Sequence, residues 1–123
     1  MIEHTLETPA GTIHYWVSPS LEGAANLVFL PGLTADHRLF DKQLDHFSGK
    51  ANCLVWDPPS HGASRPFALT WSLSDWAQWL HEILDQEGFD APVIIGQSMG
   101  GYAAQVYMER YPGEAAGFIS IDS

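Results

Sequence analysis

Three short apolar runs constrain this chain more than any other feature: "NLVFLPG" at residues 26–32, "ANCLVWD" at 51–57 and "PVIIG" at 92–96. Each is stopped by proline or glycine, and none alternates with polar residues. A run of that kind reads as a strand buried on both faces. The segments between them carry helical spacing. In "DHRLFDKQLDHF", Leu39, Phe40, Leu44 and Phe47 recur at that spacing. The clearest helix starts near Ser72, with Leu73, Trp76, Ala77, Leu80, Ile83 and Leu84 on one face. Trp71 and Trp79 fall off that face, which predicts local packing or contact with a cap or partner. Ser72 and Asp75 have capping-box spacing, and Gly88 is placed as the C-cap. A further helix runs from about Met99 to Tyr111, where Pro112 stops it. "AGFISID" is a last strand, and "IEHTLET" with "TIHYWVS" around Pro9-Ala10-Gly11 reads as an N-terminal hairpin. Buried strands alternating with helices predict an α/β domain with a doubly wound, mainly parallel sheet. Ligands are then expected at the carboxyl ends of the strands.

Composition removes several classes of function. The chain has 123 residues, enough for one domain with a modest core. Fifteen acids against five bases give a net charge of −10, a surface that repels phosphate backbones and offers no basic face to anionic lipid. No nucleic-acid partner is therefore expected. No apolar run approaches the roughly 20 residues of a membrane span, and "MIEHTLETPAGTIHYW" lacks the pattern of a signal peptide. The single cysteine, Cys53, has no internal partner and reads as a buried strand residue. These features predict a cytoplasmic protein.

Within "PVIIGQSMGGYAAQVY", Gly96-Gln97-Ser98-Met99-Gly100 has the pattern G-x-S-x-G between a strand and a helix. A chain that turns so sharply forces the central residue to positive φ and brings the flanking backbone together. Gly96 and Gly100 remove side chains from that contact, and Gly101, Ala103 and Ala104 let the helix lie close to the sheet. The serine hydroxyl is lifted clear beside a helix N-terminus, where free N–H groups favour developing negative charge. The chain has no G-K-[ST] of a P-loop, and its glycine spacing does not fit G-x-G-x-x-G.

Taken together, the motifs resemble the N-terminal half of an α/β-hydrolase-fold serine hydrolase. "GQSMGG" resembles the nucleophile elbow, "FLPGLTAD" the oxyanion loop after the third strand, and "WDPPSHGASRP" the loop after the fourth, with Ser60 where glycine is usual. The resemblance implies Ser98 as nucleophile, with the backbone N–H groups of Leu33 and Met99 as oxyanion donors. The Leu33 and Met99 side chains are then expected to line the acyl pocket. It also implies a sheet cut short after the sixth strand, with residues 1–123 forming the N-terminal part of a single domain. The cap and C-terminal strands lie outside it. Such a stretch is expected to be marginally stable and to self-associate through its open edge.

A serine needs a base, and in this family the order is Ser, acid, His. All six histidines precede Ser98. The resemblance places His61 in the loop after the fourth strand, not as the base. His37 reads as a helix-start residue packing on the surface, with substrate contact the alternative. His4 and His14 belong to the hairpin, and His46 and His81 to outer helices. None has metal-motif spacing, so no metal site is expected. Asp122, at the end of the sixth strand, is where some relatives carry the triad acid and many others only a loop-ordering carboxylate. Asp57 reads as a structural turn residue. The expectation is a serine hydrolase of carboxylesterase or lipase type, acting without a cofactor on a small ester or similar acyl substrate. His and acid come from residues beyond 123, so this stretch alone is expected to be inactive. The alternatives are a non-catalytic binding module on the same fold, a C–C hydrolase, a prolyl aminopeptidase and a cofactor-free haloperoxidase.

Overall fold

The computed structural model describes residues 1–121. Two strands open the chain, β1 (Ile2–Thr8) and β2 (Gly11–Val17). β3 (Asn26–Leu30) leads into a single 3-10 turn (His37–Phe40) and the short α1 (Asp41–Phe47). β4 (Asn52–Trp56), α2 (Leu73–Glu87), β5 (Val93–Gln97), α3 (Met99–Arg110) and β6 (Gly117–Ile121) complete the order. The strands form one sheet in the order β1-β2-β4-β3-β5-β6. β1, β2 and β4 pair antiparallel, while β4, β3, β5 and β6 pair parallel. The expected hairpin and the mainly parallel α/β sheet are both present.

The continuous apolar runs are explained by burial on both faces. Val28, Leu30, Leu54, Trp56 and Ile94 point into one core with α2 and α3, alongside Ile13 and Tyr15 of β2. Their strand neighbours Leu27, Phe29, Cys53, Val55 and Ile95 fill a second, smaller core with Phe40, against which Leu44 and Phe47 pack. Alternation with period two sends successive side chains to opposite layers, so a strand covered twice needs no polar residue. Burial alone pushes the Cys53 thiol above its ordinary pKa.

α2 is delimited as its sequence predicts. Ser72 accepts from the Asp75 N–H, Asp75 accepts from the Ser72 N–H, and Gly88 closes the helix in a left-handed conformation. One expectation needs correction. The predicted helix at "DHRLFDKQLDHF" begins as a 3-10 turn, and Leu39 lies exposed on it. Trp79, which falls off the apolar face of α2, is buried by local packing, the first of its two expected roles. The reason is a second layer: residues 66–71 fold across the helix shoulder. Gly11 and Phe67 form an isolated bridge, and the Ala68 N–H donates to the Ala10 carbonyl at 2.9 Å. Phe67 then meets Trp79 edge-on at 5.3 Å, and Trp71 leans on Trp76 at 5.0 Å.

Among the described residues, no helix is long and apolar enough to cross a membrane. On β6, Phe118, Ile119 and Ile121 are exposed.

Candidate active site

The loops after β3, β4 and β5 meet at the carboxyl ends of the parallel strands. The turn between β5 and α3 is built by exclusion of side chains. A Cβ on Gly96 would collide with the Gly100 carbonyl, and one on Gly100 would collide with the Leu30 carbonyl at the end of β3. Backbone therefore packs directly on backbone, and any larger residue at either position must break the turn. Ser98 sits at its apex with φ 56° and ψ −119°, a conformation that L-residues avoid. Its N–H donates to the Ile121 carbonyl at 2.9 Å, which holds the turn to β6.

The serine side chain is exposed and makes no capping bond to α3, although it occupies the N-cap position. Gly101 takes the first helical bond, its N–H donating to the Ser98 carbonyl at 2.9 Å. The Met99 N–H, two residues earlier, has no acceptor among the described residues. Helix geometry leaves exactly such N-terminal donors unpaired within the helix.

The β3 loop abuts this apex. A Cβ on Gly32 would lie 3.0 Å from the Ser98 Cβ. The Ala35 N–H donates to the Gly32 carbonyl at 3.2 Å, with Thr34 at φ 65° between them. That closes a tight turn with Leu33 and Thr34 at its centre. The Leu33 side chain is exposed, and its N–H has no acceptor among the described residues. The structure thus brings Ser98, Met99 and the Leu33 loop to one place. Asp122 lies outside the described residues.

The β4 loop is organised by Asp57, one of the few fully buried polar side chains among the described residues. Its Oδ1 accepts from the His37 N–H at 2.8 Å and pairs with His37 Nδ1 at 2.7 Å. Its Oδ2 accepts from the Ala63 N–H at 2.7 Å. Ser64, also buried, donates to the Asp57 carbonyl at 2.8 Å and accepts from the His14 N–H at 2.9 Å. One carboxylate therefore ties the β3 loop to the β4 loop, a role larger than a turn residue needs. His37 packs as expected, stacked on Trp16 with ring centroids 3.8 Å apart.

His61 Nδ1 bonds the Pro59 carbonyl at 3.0 Å, within its own loop. It lines a shallow polar depression of about 250 Å³ with Thr34, Asp36, Ser60 and Arg65. A larger depression of about 480 Å³ lies elsewhere, over Trp16, Leu44 and Val55 on the α1 face, and Ser98 does not line it. Asp36, His37 and Asp57 bring three potential metal-ligand atoms within 4.8 Å. Their oxygens are already committed. Asp36 accepts from the Arg38 guanidinium at 2.7 Å, whose hydrogen bond holds the Asp36 carboxyl below its ordinary pKa. Asp57 accepts the three donors named above, so the cluster serves as a hydrogen-bonded hub.

This strand–turn–helix with flanking loops matches a family model described as the alpha/beta hydrolase fold over residues 25–123. The chain belongs to that family. Among solved members, the N-acyl homoserine lactonase AidH in complex with N-butanoyl homoserine superposes with a TM-score of 0.85 at 28% identity, over 98% of this chain and 44% of that one. Naproxen esterase from Bacillus subtilis superposes with a TM-score of 0.81 at 24% identity, over 95% of this chain and 41% of that one, a likeness of fold. A dihydrolipoyllysine-residue acetyltransferase component of the acetoin cleaving system from Cupriavidus necator is 30% identical over 88 residues, 71% of this chain and 24% of that protein. The alpha/beta hydrolase chain thus spans less than half the length of these relatives.

The sequence motifs locate the elbow and both loops. They miss the side chain of Gln97, whose Oε1 accepts from the Gly32 N–H at 3.0 Å. They also miss the reach of Asp57 to His37.

Proposed function

We propose that the chain is the N-terminal part of a serine hydrolase domain acting on a small ester, lactone or similar acyl substrate. Ser98 Oγ attacks the carbonyl carbon, and the carbonyl π electrons move onto oxygen. The Leu33 and Met99 N–H groups receive that oxyanion. A general base takes the serine proton and returns it to the leaving alcohol as the C–O bond breaks. Water then repeats the sequence on the acyl-enzyme and releases the acid. The base and a carboxylate to orient it come from chain outside these 123 residues, with Asp122 the one candidate acid within them.

The observation that carries this reading is the Ser98 apex itself: an exposed hydroxyl on a left-handed backbone, making no capping bond, beside the Met99 N–H and against Gly32. Fixed backbone donors suit an oxyanion because they need no reorganisation during reaction, and losing one typically costs about 100- to 1,000-fold in rate. A lactone is a cyclic ester, so the lactonase AidH at 28% identity supports the same bond class.

In the full-length protein, a fluorophosphonate should label Ser98 stoichiometrically, read by peptide mass spectrometry. Ser98→Ala should abolish both label and hydrolysis of p-nitrophenyl butyrate. Labelling that persists in Ser98→Ala ends the proposal. The 123 residues alone should hydrolyse the ester at no more than about 1,000- to 10,000-fold over water, the level left by binding and an oxyanion hole without a base.

A further inference from the structure

The turn that carries the Leu33 N–H has two ties. At one end the Ala35 N–H closes it on the Gly32 carbonyl at 3.2 Å. At the other, the Gly32 N–H donates to Gln97 Oε1 at 3.0 Å, a bond between residues 65 apart in sequence. Gln97 is the last residue of β5, paired in parallel register with Ile121, so its backbone is fixed by the sheet. Its side chain lies flat against Gly32: a Cβ there would stand 2.7 Å from the Gln97 carbonyl oxygen and 2.8 Å from Oε1. The Leu33 N–H follows the tied Gly32 by one residue, and the nucleophile follows Gln97 by one residue. One side chain therefore spans from the elbow to the loop that faces it.

We infer that Gln97 is a positioning residue that sets the Leu33 N–H against the Ser98 oxyanion through its hydrogen bond from Gly32. The inference rests on the serine-hydrolase reading of Ser98. The chemistry of the contact demands a strong acceptor: an amide or carboxylate oxygen meets a backbone N–H, a hydrocarbon does not, and a thioether sulfur does so only weakly. The amide's oxygen must then face Gly32, with its NH₂ turned away. Removing the acceptor frees the Gly32 end of the loop while the elbow, held by backbone packing at Gly96 and Gly100, stays in place. The distance from Ser98 to its second oxyanion donor then becomes variable. A misplacement of about 1 Å at a reacting centre costs on the order of 100-fold in rate.

The test uses the full-length protein with Gln97→Met, which keeps length and removes the oxygen acceptor, and Gln97→Glu, which keeps an oxygen at the same reach. Gln97→Met should lower kcat for p-nitrophenyl butyrate by about 10- to 100-fold with KM within about twofold. Its affinity for a trifluoromethyl ketone, whose hemiketal oxyanion occupies the donor site, should fall by the same factor, while the non-fluorinated ketone binds as in the parent. Gln97→Glu should recover kcat to within about fivefold of the parent. A Gln97→Met enzyme with parental kcat and ketone affinity would overturn the inference, as would equal impairment of both variants. Fluorophosphonate labelling separates the two readings. An unlabelled Ser98 in the parent removes the serine-hydrolase reading itself, whereas a labelled parent with an unaffected Gln97→Met removes only the role of Gln97.

Discussion

Ser60 and Ser98 both hold left-handed backbone, at φ 74° and 56°, in loops at the carboxyl end of the sheet. Each conformation costs an L-residue on the order of 1–2 kcal/mol relative to glycine's freedom there. The two hydroxyls differ in what they do with it. Ser60 Oγ accepts from the Trp71 Nε1–H at 2.8 Å, so its side chain joins the β4 loop to the start of α2. Ser98 makes no side-chain cap, and only its backbone is bonded, to Ile121 and Gly101. Strain that the side chain does nothing to offset, on an exposed nucleophilic group, is what a site of chemistry shows. The surroundings follow the same division. Around Ser98 the turn is fixed by backbone on backbone, whereas the Ser60 loop is fixed by polar side chains centred on Asp57.

That division can be broken most forcefully at Gly100. Gly100→Ala drives a methyl group into the Leu30 carbonyl, which the sheet cannot move. The expected loss is about 3 kcal/mol or more, read by urea denaturation, with fluorophosphonate labelling of Ser98 lost in whatever remains folded. Parental stability would show that the elbow yields and that steric exclusion does not hold it. The polar loop should respond less. Asp57→Asn keeps one acceptor oxygen and loses the other, leaving the Ala63 N–H or the His37 pair without a partner. About 2 kcal/mol is expected from one buried donor left unsatisfied. Amide exchange should quicken at His37 and Ala63 together, because one carboxylate serves both loops.

What was legible in the sequence follows the same line between local and distant causes. The elbow is a local event: Gly96, Ser98 and Gly100 lie within five residues, and their spacing encodes the turn they make. The caps of α2 are local too, and Ser72, Asp75 and Gly88 behave as their positions predict. Trp79 packs locally, one of its two expected roles, but helical periodicity assumes one covering layer and does not show that residues 66–71 supply a second. Leu39 was misplaced because a 3-10 turn advances side chains faster than an α-helix, so the expected face rotates away. Asp57 and Gln97 act across 20 and 65 residues, respectively, through a single hydrogen-bond acceptor each. Neither leaves a periodic trace, since, His37 Nδ1 apart, their partners are backbone N–H groups that every residue but proline possesses. Phe118 and Ile119 of β6 are exposed, because the burial of an apolar strand depends on what packs against it and not on composition alone.

The serine comparison itself gives a smaller and opposite effect. Ser98→Gly removes a side chain that makes no capping bond and relieves φ 56°, ψ −119°, a region glycine enters freely. The relief of about 1–2 kcal/mol exceeds glycine's added entropy cost of about 0.5–1 kcal/mol. A net gain near 1 kcal/mol, or a few degrees in Tm, is expected alongside complete loss of labelling. Stability and reactivity should therefore move in opposite directions at this one position. A variant as stable as the parent or less so would mean that the Ser98 hydroxyl carries a structural bond after all.

Ser60→Gly should show the smallest change, because two effects of similar size oppose each other. Relief of φ 74° favours glycine by about 1–2 kcal/mol. Against it stand the entropy of glycine in the unfolded chain, about 0.5–1 kcal/mol, and the lost bond from Trp71 Nε1, about 0.5–1.5 kcal/mol. The midpoints of these ranges cancel to within about 0.5 kcal/mol, so Tm should stay within about two degrees of the parent. The change should appear in the tryptophan instead. Trp71 is only partly buried, and its indole N–H turns to water once the serine acceptor is gone, so its emission should shift to longer wavelength, with Trp71→Phe as the control. A gain in stability as large as that of Ser98→Gly, with no change in emission, would mean that the Trp71 bond does nothing to offset the Ser60 backbone. The two left-handed serines would then be energetically alike, and strain alone would no longer set Ser98 apart.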